Sequence, residues 1–366
     1  MLSRTFGSTG QTVSALGFGG MRFKNLDDVE ACAALVHEAR DLGITYFDTA
    51  IGYGKSEEVM GVAFKEMLKD RAAKPFTVAS KTFAATADEV RRDCEISLKR
   101  LNVDALDFYH VWCVLSPDAW RERKAKGVIA AFERLRDEGL VRNISVSTHM
   151  SGDEIAPLLE EYPFVSVLLG YSALNFAYRE AGVAAAAKLG RGVVVMNPLA
   201  GGVIPQHPQR FGWVKTREDE TVVEGALRFL WNDPRISVVL VGISDREQLH
   251  AAVRAAEGFR PIPAERIARM RSELSAAFDS LCTGCGYCSD CPESLPLPKL
   301  MDAVNQGILA GNEQAITDRL RWQWNLQKDN GLDRCTQCRQ CEQACTQHLP
   351  IVDRLERIRG ALAKAG

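Results

Sequence analysis

Residues 44–81 read ITYFDTAIGYGKSEEVMGVAFKEMLKDRAAKPFTVASK. A β-branched and aromatic run, Ile44–Asp48, gives way to a glycine-containing loop. Next comes Ser56–Leu68, whose apolar residues recur at helical spacing, and then a second strand-like run, Phe76–Lys81. Strand, helix-length stretch and strand, with both strands apolar along their length, is the signature of a βαβ unit in a parallel sheet covered on both faces. Both runs end on a charged residue, Asp48 and Lys81, where a parallel sheet presents its strand ends to a ligand.

The same alternation extends in both directions. After a hairpin built on Gly7 to Gly10, strand candidates lie near Ser14–Phe18, Ala105–Trp112, Val141–Val146, Val165–Leu169, Gly192–Met196 and Ile236–Val241. Helix candidates follow over Leu26–Leu42, Thr86–Leu101, Asp118–Asp137, Asp153–Glu161, Arg179–Leu189, Thr221–Trp231 and Asp245–Ala256. Eight units in about 258 residues match a (β/α)8 barrel in count and length. A doubly wound open sheet is the rival arrangement for this pattern.

The rest of the composition is ordinary. The 366 residues are 46% hydrophobic and 25% charged, and 45 basic against 47 acidic residues leave a formal net charge of -2, so no field is built for nucleic acid or anionic lipid. The first seven residues contain no apolar signal-like stretch, and no uncharged apolar run reaches 18 residues, so the expectation is a cytoplasmic protein with no membrane partner. Cysteine is the exception. Of 11, Cys32, Cys94 and Cys113 are scattered and eight fall in two short runs between Cys282 and Cys291 and between Cys335 and Cys345, which in a reducing compartment points to metal rather than disulfides.

The expected organisation is a barrel over residues 1–260, a linker and connecting helix over 261–278 (the helix Ala264–Phe278), and a smaller domain over 279–366. Pro261 and Pro263 mark the linker. In the last domain two helical stretches, Lys299–Leu309 and Asn312–Gln327, broken at Gly311, separate the cysteine runs, and 10 basic against 10 acidic residues from 280 onward name no partner by charge.

In a barrel of this kind chemistry sits at the C-terminal strand ends. Asp48 and Lys81 end neighbouring strands and can pair, and Tyr53 follows in the loop. A Lys81 cation beside Tyr53 lowers the phenol pKa from about 10 and makes Tyr53 a proton donor to a carbonyl oxygen. The plainer alternative is a rim salt bridge with Tyr53 as a loop anchor.

The segments Phe47-Asp48-Thr49-Ala50 with Tyr53-Gly54-Lys55-Ser56-Glu57, Ser80-Lys81, Gly139-Leu140-Val141-Arg142-Asn143-Ile144-Ser145-Val146-Ser147, and Asn197-Pro198-Leu199-Ala200-Gly201-Gly202 occur in this order. Together they resemble the aldo/keto reductase family over residues 1 to about 257. The resemblance implies a barrel that binds NAD(P)H without a Rossmann fold and reduces a small carbonyl, or oxidises an alcohol, by hydride transfer. It assigns Asp48, Tyr53 and Lys81 to three of the family's four catalytic positions. The fourth, a histidine, is occupied by Trp112. His110 stands two residues earlier and on the same strand face, where it can act one layer deeper or serve only as a buried packing residue.

The resemblance places Met21, Ser147, Thr148, Pro198, Leu199, Gly242, Ser244, Arg246 and Gln248 along the nucleotide. The turn Gly242-Ile243-Ser244-Asp245-Arg246-Glu247-Gln248 keeps a glycine and a helix start suited to phosphate. Ser244 stands where many relatives carry a basic residue, with Arg246 a possible substitute, Ala251-Ala252 replaces an adenine-binding Glu-Asn pair, and Leu168 replaces a glutamine.

Cys282-x2-Cys285-x2-Cys288-x2-Cys291-Pro292 and Cys335-x2-Cys338-x2-Cys341-x3-Cys345 resemble the bacterial ferredoxin pattern for 4Fe-4S clusters, in an α-helical ferredoxin-like module. Structural zinc is the alternative, but zinc sites draw pairs of cysteines from separated segments rather than four from ten residues. The first run has x2 where x3 is usual before its last cysteine, and Thr346 replaces the usual proline. As in two-cluster ferredoxins, the pattern implies two clusters that exchange their fourth ligands: Cys282, Cys285, Cys288 and Cys345 on one, Cys335, Cys338, Cys341 and Cys291 on the other. Two functions follow: an iron-sulfur oxidoreductase of the aldo/keto reductase type with a possible redox partner protein, or an electron-transfer subunit whose barrel has become a docking scaffold.

Overall fold

The structure is a computed structural model that describes residues 1–272, 281–326 and 330–365. By internal contacts the chain divides into two compact units, Met1–Leu199 with Phe211–Leu274, and Ala200–Arg210 with Ser275–Gly366. The sequence boundary near 260 left Ala200–Arg210 in the barrel. That segment instead groups with the second unit, because the left-handed Gly201 lies so close to the Thr283 backbone that any side chain there would overlap it.

The first unit opens with an antiparallel hairpin, β1 (Ser3–Thr5) and β2 (Thr12–Ser14). Eight parallel strands then close a barrel: β3 (Leu16–Gly19), β4 (Tyr46–Asp48), β5 (Thr77–Thr82), β6 (Leu106–Val114), β7 (Val141–Thr148), β8 (Ser166–Gly170), β9 (Gly192–Met196) and β10 (Val238–Gly242), with β10 paired to β3. Closure leaves no sheet edge and rules out the open-sheet rival.

The barrel helices are α1 (Val29–Asp41), α2 (Ser56–Met67), α3 (Ala87–Leu101), α4 (Pro117–Ala125), α5 (Val128–Asp137), α6 (Gly152–Glu161) and α7 (Phe176–Lys188). The short α8 (Val203–Gln206) belongs to the second unit, and α9 (Val222–Trp231), α10 (Arg246–Glu257) and α11 (Ala264–Ser272) complete the first. Capping boxes Thr86/Glu89, Ser151/Glu154 and Thr221/Glu224 fix the starts of α3, α6 and α9 by satisfying backbone N–H groups that have no partner within the helix. The single helix expected over Asp118–Asp137 is two helices. Gly127, at φ +74°, turns the chain left-handed between α4 and α5, a conformation a non-glycine residue avoids. Of the helix expected over Ala264–Phe278, residues through Ser272 form α11 and the remainder lies outside the described residues.

Strand alternation sorts the side chains. Tyr46, Ala79, Phe108, Leu168, Val194, Val238 and Leu240 point inward and pack with Phe6 and Val13 of the hairpin. The Phe6 ring lies 4.5 Å from Phe108 and 5.7 Å from Tyr46, closing the bottom of the barrel. Outside, Phe47, Phe64 and Phe76 form an aromatic contact beneath α2. Burying each such side chain contributes about 1.5–3 kcal/mol. Asp107 accepts from Arg71, Arg142 and the Val78 N–H and so anchors the start of β6.

In the second unit, α12 (Leu297–Ala310), α13 (Gln314–Asp318), α14 (Gln340–Gln343) and α15 (Ile351–Ala365) gather around Leu300, Met301, Val304, Ile316, Leu320, Leu355 and Ile358. The helix expected over Asn312–Gln327 stops at Asp318. A π-helical turn, Arg319–Gln323, follows it, and Arg319 and Trp324 both reach Asp302 on α12, at 2.7 and 2.8 Å. Gln327 lies outside the described residues. The terminal α15 was not anticipated. No helix among the described residues is long and apolar enough to cross a membrane.

Candidate active site and cysteine-rich module

Asp48 lies opposite Ala79 across the β4–β5 pair, so Lys81, two residues further along β5, shares its inward face. The Lys81 ammonium donates to Asp48 Oδ1 and to the Thr49 carbonyl, both at 2.6 Å, and both charged side chains are almost fully buried. Burial pushes the Asp48 carboxyl up and the Lys81 amine down, and the attraction of each for the other opposes both effects. The Asp48 Oδ2 atom has no hydrogen-bond partner among the described residues.

Tyr53 rides on the loop between β4 and α2, which is held by bonds from Tyr53 N–H to Ala50 and from Ser56 N–H to the Tyr53 carbonyl. Beneath it the Ser56 hydroxyl donates to the Gly20 carbonyl and lies 2.8 Å from the Thr49 hydroxyl, tying the loop to the top of β3. The half-buried Tyr53 ring presents its face to Lys81 Nζ, 4.9 Å from the ring centroid. Asp48, Lys81 and Tyr53, ranked together by the sequence, are thus brought together.

Phe108, His110 and Trp112 form three inward layers on β6, from the hydrophobic plug to the rim. His110 pairs in register with Lys81 and is completely buried. Burial, reinforced by the Lys81 charge, pushes its imidazole down to about 3. The Val146 backbone pulls the other way, but neither ring nitrogen meets full hydrogen-bond geometry with a described residue. His110 is therefore a neutral residue beneath the lysine.

At the rim β6 is bulged. Its register with β7 shifts between Val111 and Val114, and Cys113 has φ +58°, a strained conformation for a residue with a side chain. The bulge turns Trp112 across the mouth, where it meets the Tyr53 ring edge-on at 5.3 Å and stacks on Phe83 at 3.5 Å. Phe83 was missed in the sequence. Its position two residues after Lys81, hence on the same strand face, was the available signal. Glu57 was quoted only as part of a motif. It is fully buried and accepts from Ser80 Oγ at 2.7 Å, bracing β5 from outside the barrel.

The residues expected along a nucleotide are placed as follows. Ser147 Oγ on β7 is buried with no hydrogen-bond partner among the described residues, an orphaned donor suited to an amide oxygen. Thr148 instead donates its hydroxyl to the Val114 carbonyl at 2.8 Å. Pro198 and Leu199 follow the left-handed Asn197 after β9, and Met21 is exposed above β3. Beyond Gly242, Ser244 Oγ donates to the Arg22 carbonyl at 2.7 Å and Ser244 N–H to Gln248 Oε1 at 3.1 Å. Arg246 is held by Glu38 of α1 at 2.5 Å, and His250 contacts the same carboxylate at 2.8 Å. Glu38 was not considered in the sequence, where nothing local links it to Arg246. The Arg246–Glu38 pair leaves the substitute for a basic residue at Ser244 already engaged.

In the second unit the cysteines form two groups. Cys291 lines one concavity with Cys335, Cys338 and Cys341, so the last cysteine of the first run stands with three of the second. Cys282, Cys285, Cys288 and Cys345 lie close enough to act on one another's charge. Cys282 is pinned to α12, its N–H donating to Asn305 Oδ1 at 2.9 Å and its carbonyl accepting from Asn305 Nδ2 at 2.8 Å. Burial pushes Cys282 up to about 11 and Cys288 to about 12. Among the described residues no three Cys, His, Asp or Glu side chains converge on a point that would hold one metal ion.

A closed parallel barrel with a buried acid–lysine pair under a tyrosine at its C-terminal rim, joined to a cysteine-rich helical unit, defines a reductase-type oxidoreductase with an iron-sulfur module. Residues 15–274 match the aldo/keto reductase family, and the chain belongs to that family. Residues 279–349 match the 4Fe-4S dicluster domain, so the C-terminal unit is an iron-sulfur module. Over 283 residues the chain is 29% identical to L-galactose dehydrogenase of Arabidopsis thaliana, covering 69% of this chain and 87% of that one. It is 24% identical over 304 residues to the uncharacterized oxidoreductase YqkF of Bacillus subtilis, covering 74% and 96%. Among solved structures, the holo form of the aldo-keto reductase AKR11C1 from Bacillus halodurans superposes with a TM-score of 0.65 at 26% identity, covering 76% of this chain and 97% of that one.

Proposed function

We propose that this protein reduces a small carbonyl compound, or oxidises the corresponding alcohol, with NAD(P)H as hydride source and two 4Fe-4S clusters as one-electron carriers. The observation that carries the reading is the buried Lys81–Asp48 pair facing Tyr53. When bound, the reduced nicotinamide supplies the hydride. This chain's residues supply the rest. The Tyr53 hydroxyl gives its proton to the carbonyl oxygen, Lys81 favours the resulting phenolate by its charge, and Asp48 keeps Lys81 protonated in a site that would otherwise neutralise it. His110, neutral and below Lys81, adds no competing charge. The orphaned Ser147 hydroxyl fits the nicotinamide amide, whereas the engaged Arg246 and Ser244 favour a loose and unselective grip on phosphate.

The donor sets of the second unit suit two cubanes, which when bound accept and release single electrons. Four thiols in each of two groups are what the clusters require, and iron offsets the burial that pushes the Cys282, Cys288, Cys341 and Cys345 thiols up. Cys282, Cys285, Cys288 and Cys345 would hold one cluster, and Cys291, Cys335, Cys338 and Cys341 the other.

The test is anaerobic titration of the holoprotein with NADH and NADPH while cluster absorbance is followed, with small aldehydes and ketones then supplied. Bleaching by a nicotinamide and turnover of a carbonyl are expected. The second reading, an electron-transfer subunit with the barrel as scaffold, draws on Trp112 packed against Tyr53. Clusters that respond only to one-electron donors, with no carbonyl turnover, would establish it.

A further inference from the structure

Trp112 is held at the barrel rim by its backbone and by its ring. At the β6 bulge Trp112 and Cys113 together stand against the single Ser147 of β7, because Val111 pairs with Val146 and Val114 with Thr148. The Trp112 carbonyl accepts from Arg123 Nη1 at 2.5 Å. Arg123 reaches it from α4, which starts at the Ser116 cap just after β6. That helix is docked by the buried Trp120, whose indole N–H donates to Glu161 of α6 at 2.8 Å. Gly52, next to Tyr53 in the β4–α2 loop, leaves room for the Trp112 indole. A Cβ there would stand 3.1 Å from Trp112 Cη2 and Cζ3 and 3.5 Å from Phe83 Cε2. Phe83 stacks on the indole with centroids 3.5 Å apart at 18°. The ring so held is 3% exposed, and its centroid lies 5.3 Å from that of Tyr53 and 5.9 Å from Lys81 Nζ.

We infer that Arg123 and Gly52 are specificity-determining positioning residues: they fix the Trp112 indole beside Tyr53, so that the rim accepts an unbranched carbonyl compound and turns away one branched at the carbon next to the carbonyl. The inference rests on the carbonyl-reducing reading above and names the substrate class of that site.

A carbonyl oxygen within hydrogen-bond reach of the Tyr53 hydroxyl brings the substituents of its carbonyl carbon alongside the phenol. Aromatic rings that meet edge-on at 5.3 Å are in van der Waals contact, so no substituent fits between Tyr53 and Trp112. An indole free to swing would yield to extra bulk. This one cannot move without giving up the bond from Arg123, leaving the Phe83 stack or pressing into the Gly52 backbone. A wall that does not yield turns each added methyl group into a steric cost in the transition state, and discrimination by size then reaches about tenfold or more. Arg123 and Gly52 act through Trp112, which is what makes them positioning residues.

The experiment compares kcat/KM of the anaerobically purified holoprotein for propanal and for pivaldehyde, which carries two further methyl groups on the carbon next to the carbonyl. A reduced nicotinamide is held at saturation, and the ratio is divided by the relative rates of the two aldehydes with borohydride. The parent should prefer propanal by roughly tenfold or more. Arg123→Met keeps the length of the side chain but loses the donor, and Gly52→Ala adds a methyl that drives the indole off the Tyr53 loop. Each should lower the preference at least about fivefold while kcat/KM for propanal stays within about threefold of the parent. Arg123→Lys, which keeps a donor, should restore most of the preference. In a Trp112→Ala background Arg123→Met should change the ratio no further, because the residue it positions is gone. An unchanged ratio in Arg123→Met and Gly52→Ala, or a further shift in the Trp112→Ala background, overturns the inference. Should Arg123→Met fail to fold, Gly52→Ala and its double variant with Trp112→Ala decide by the same criteria. Turnover of both aldehydes by the parent without preference overturns this inference alone. No turnover of either overturns the carbonyl-reducing reading, and this one with it.

Discussion

Trp112 meets Tyr53 edge-on at the C-terminal end of the barrel, their ring centroids 5.3 Å apart at 89°. The bulge at Cys113 sets this arrangement. Trp112→His should open the pocket and add a donor, raising kcat/KM for small aldehydes by roughly tenfold, about 1.4 kcal/mol of transition-state stabilisation. Unchanged or lower kcat/KM in a folded variant would show that the indole itself contacts substrate.

Tyr53→Phe removes only a hydroxyl from a half-buried rim loop, so the thermal unfolding midpoint should stay within a degree or two of the parent. Carbonyl reduction should fall by about a hundredfold or more, the range for loss of a general acid. Steady-state kinetics beside a melting curve checks this, and retained turnover would sink the assignment.

His110 should make the barrel acid-sensitive. The folded imidazole is pushed down to about 3 from an ordinary 6.5, so between these values the unfolded chain takes up a proton that the folded chain refuses. Its contribution to stability is complete above pH 6.5 and shrinks as pH falls, by at most about 1.4 kcal/mol per pH unit. Urea unfolding at pH 7 and pH 5.5 should therefore show a smaller loss in His110→Leu than in the parent. Identical losses would mean that the folded His110 accepts a proton. Because it stays neutral, His110 should also put no limb near pH 6.5 into the activity profile.

Glu38 holds Arg246, so direct binding should show little preference between NADPH and NADH. Glu38→Gln should release the guanidinium for a charge-assisted contact worth about 1.5–3 kcal/mol, strengthening NADPH binding roughly tenfold or more and NADH far less. Calorimetry on both nucleotides decides. A strong NADPH preference in the parent would mean that the Arg246–Glu38 pair already opens on binding.

Gly201 has φ +67°, and a Cβ there would stand 1.9 Å from the Thr283 carbonyl oxygen, next to Cys282. Gly201→Ala must shift the backbone that presents the first cysteine, so iron content should fall and the cysteines of the first run should become more readily alkylated. Full iron retention would show that the loop yields without disturbing Cys282.

Much of this was legible in one dimension because it depends on local periodicity or short spacing. The strand ends Asp48 and Lys81, the loop tyrosine and the cysteine runs are signals within a few residues, and the strand candidates lie within a few residues of the observed strands. The helix break at Gly127 was present in the sequence as a glycine, but its left-handed turn was overridden by the apolar pattern on either side.

What the sequence determined by itself is the chemistry available: an α/β barrel by alternation, an acid, a lysine and a tyrosine at strand ends, and thiolates in ferredoxin spacing. Tertiary structure alone decided which groups meet. Closure of the barrel set His110 beneath Lys81, the β6 bulge swung Trp112 over Tyr53, and α1 brought Glu38 to Arg246 from 208 residues away. The folded second unit brought Cys291 to the second run and Thr346 to Cys285, 61 residues apart. Such pairings depend on distances fixed only when the whole core packs, because an interior at crystal-like density leaves each side chain one set of neighbours, which no local pattern encodes.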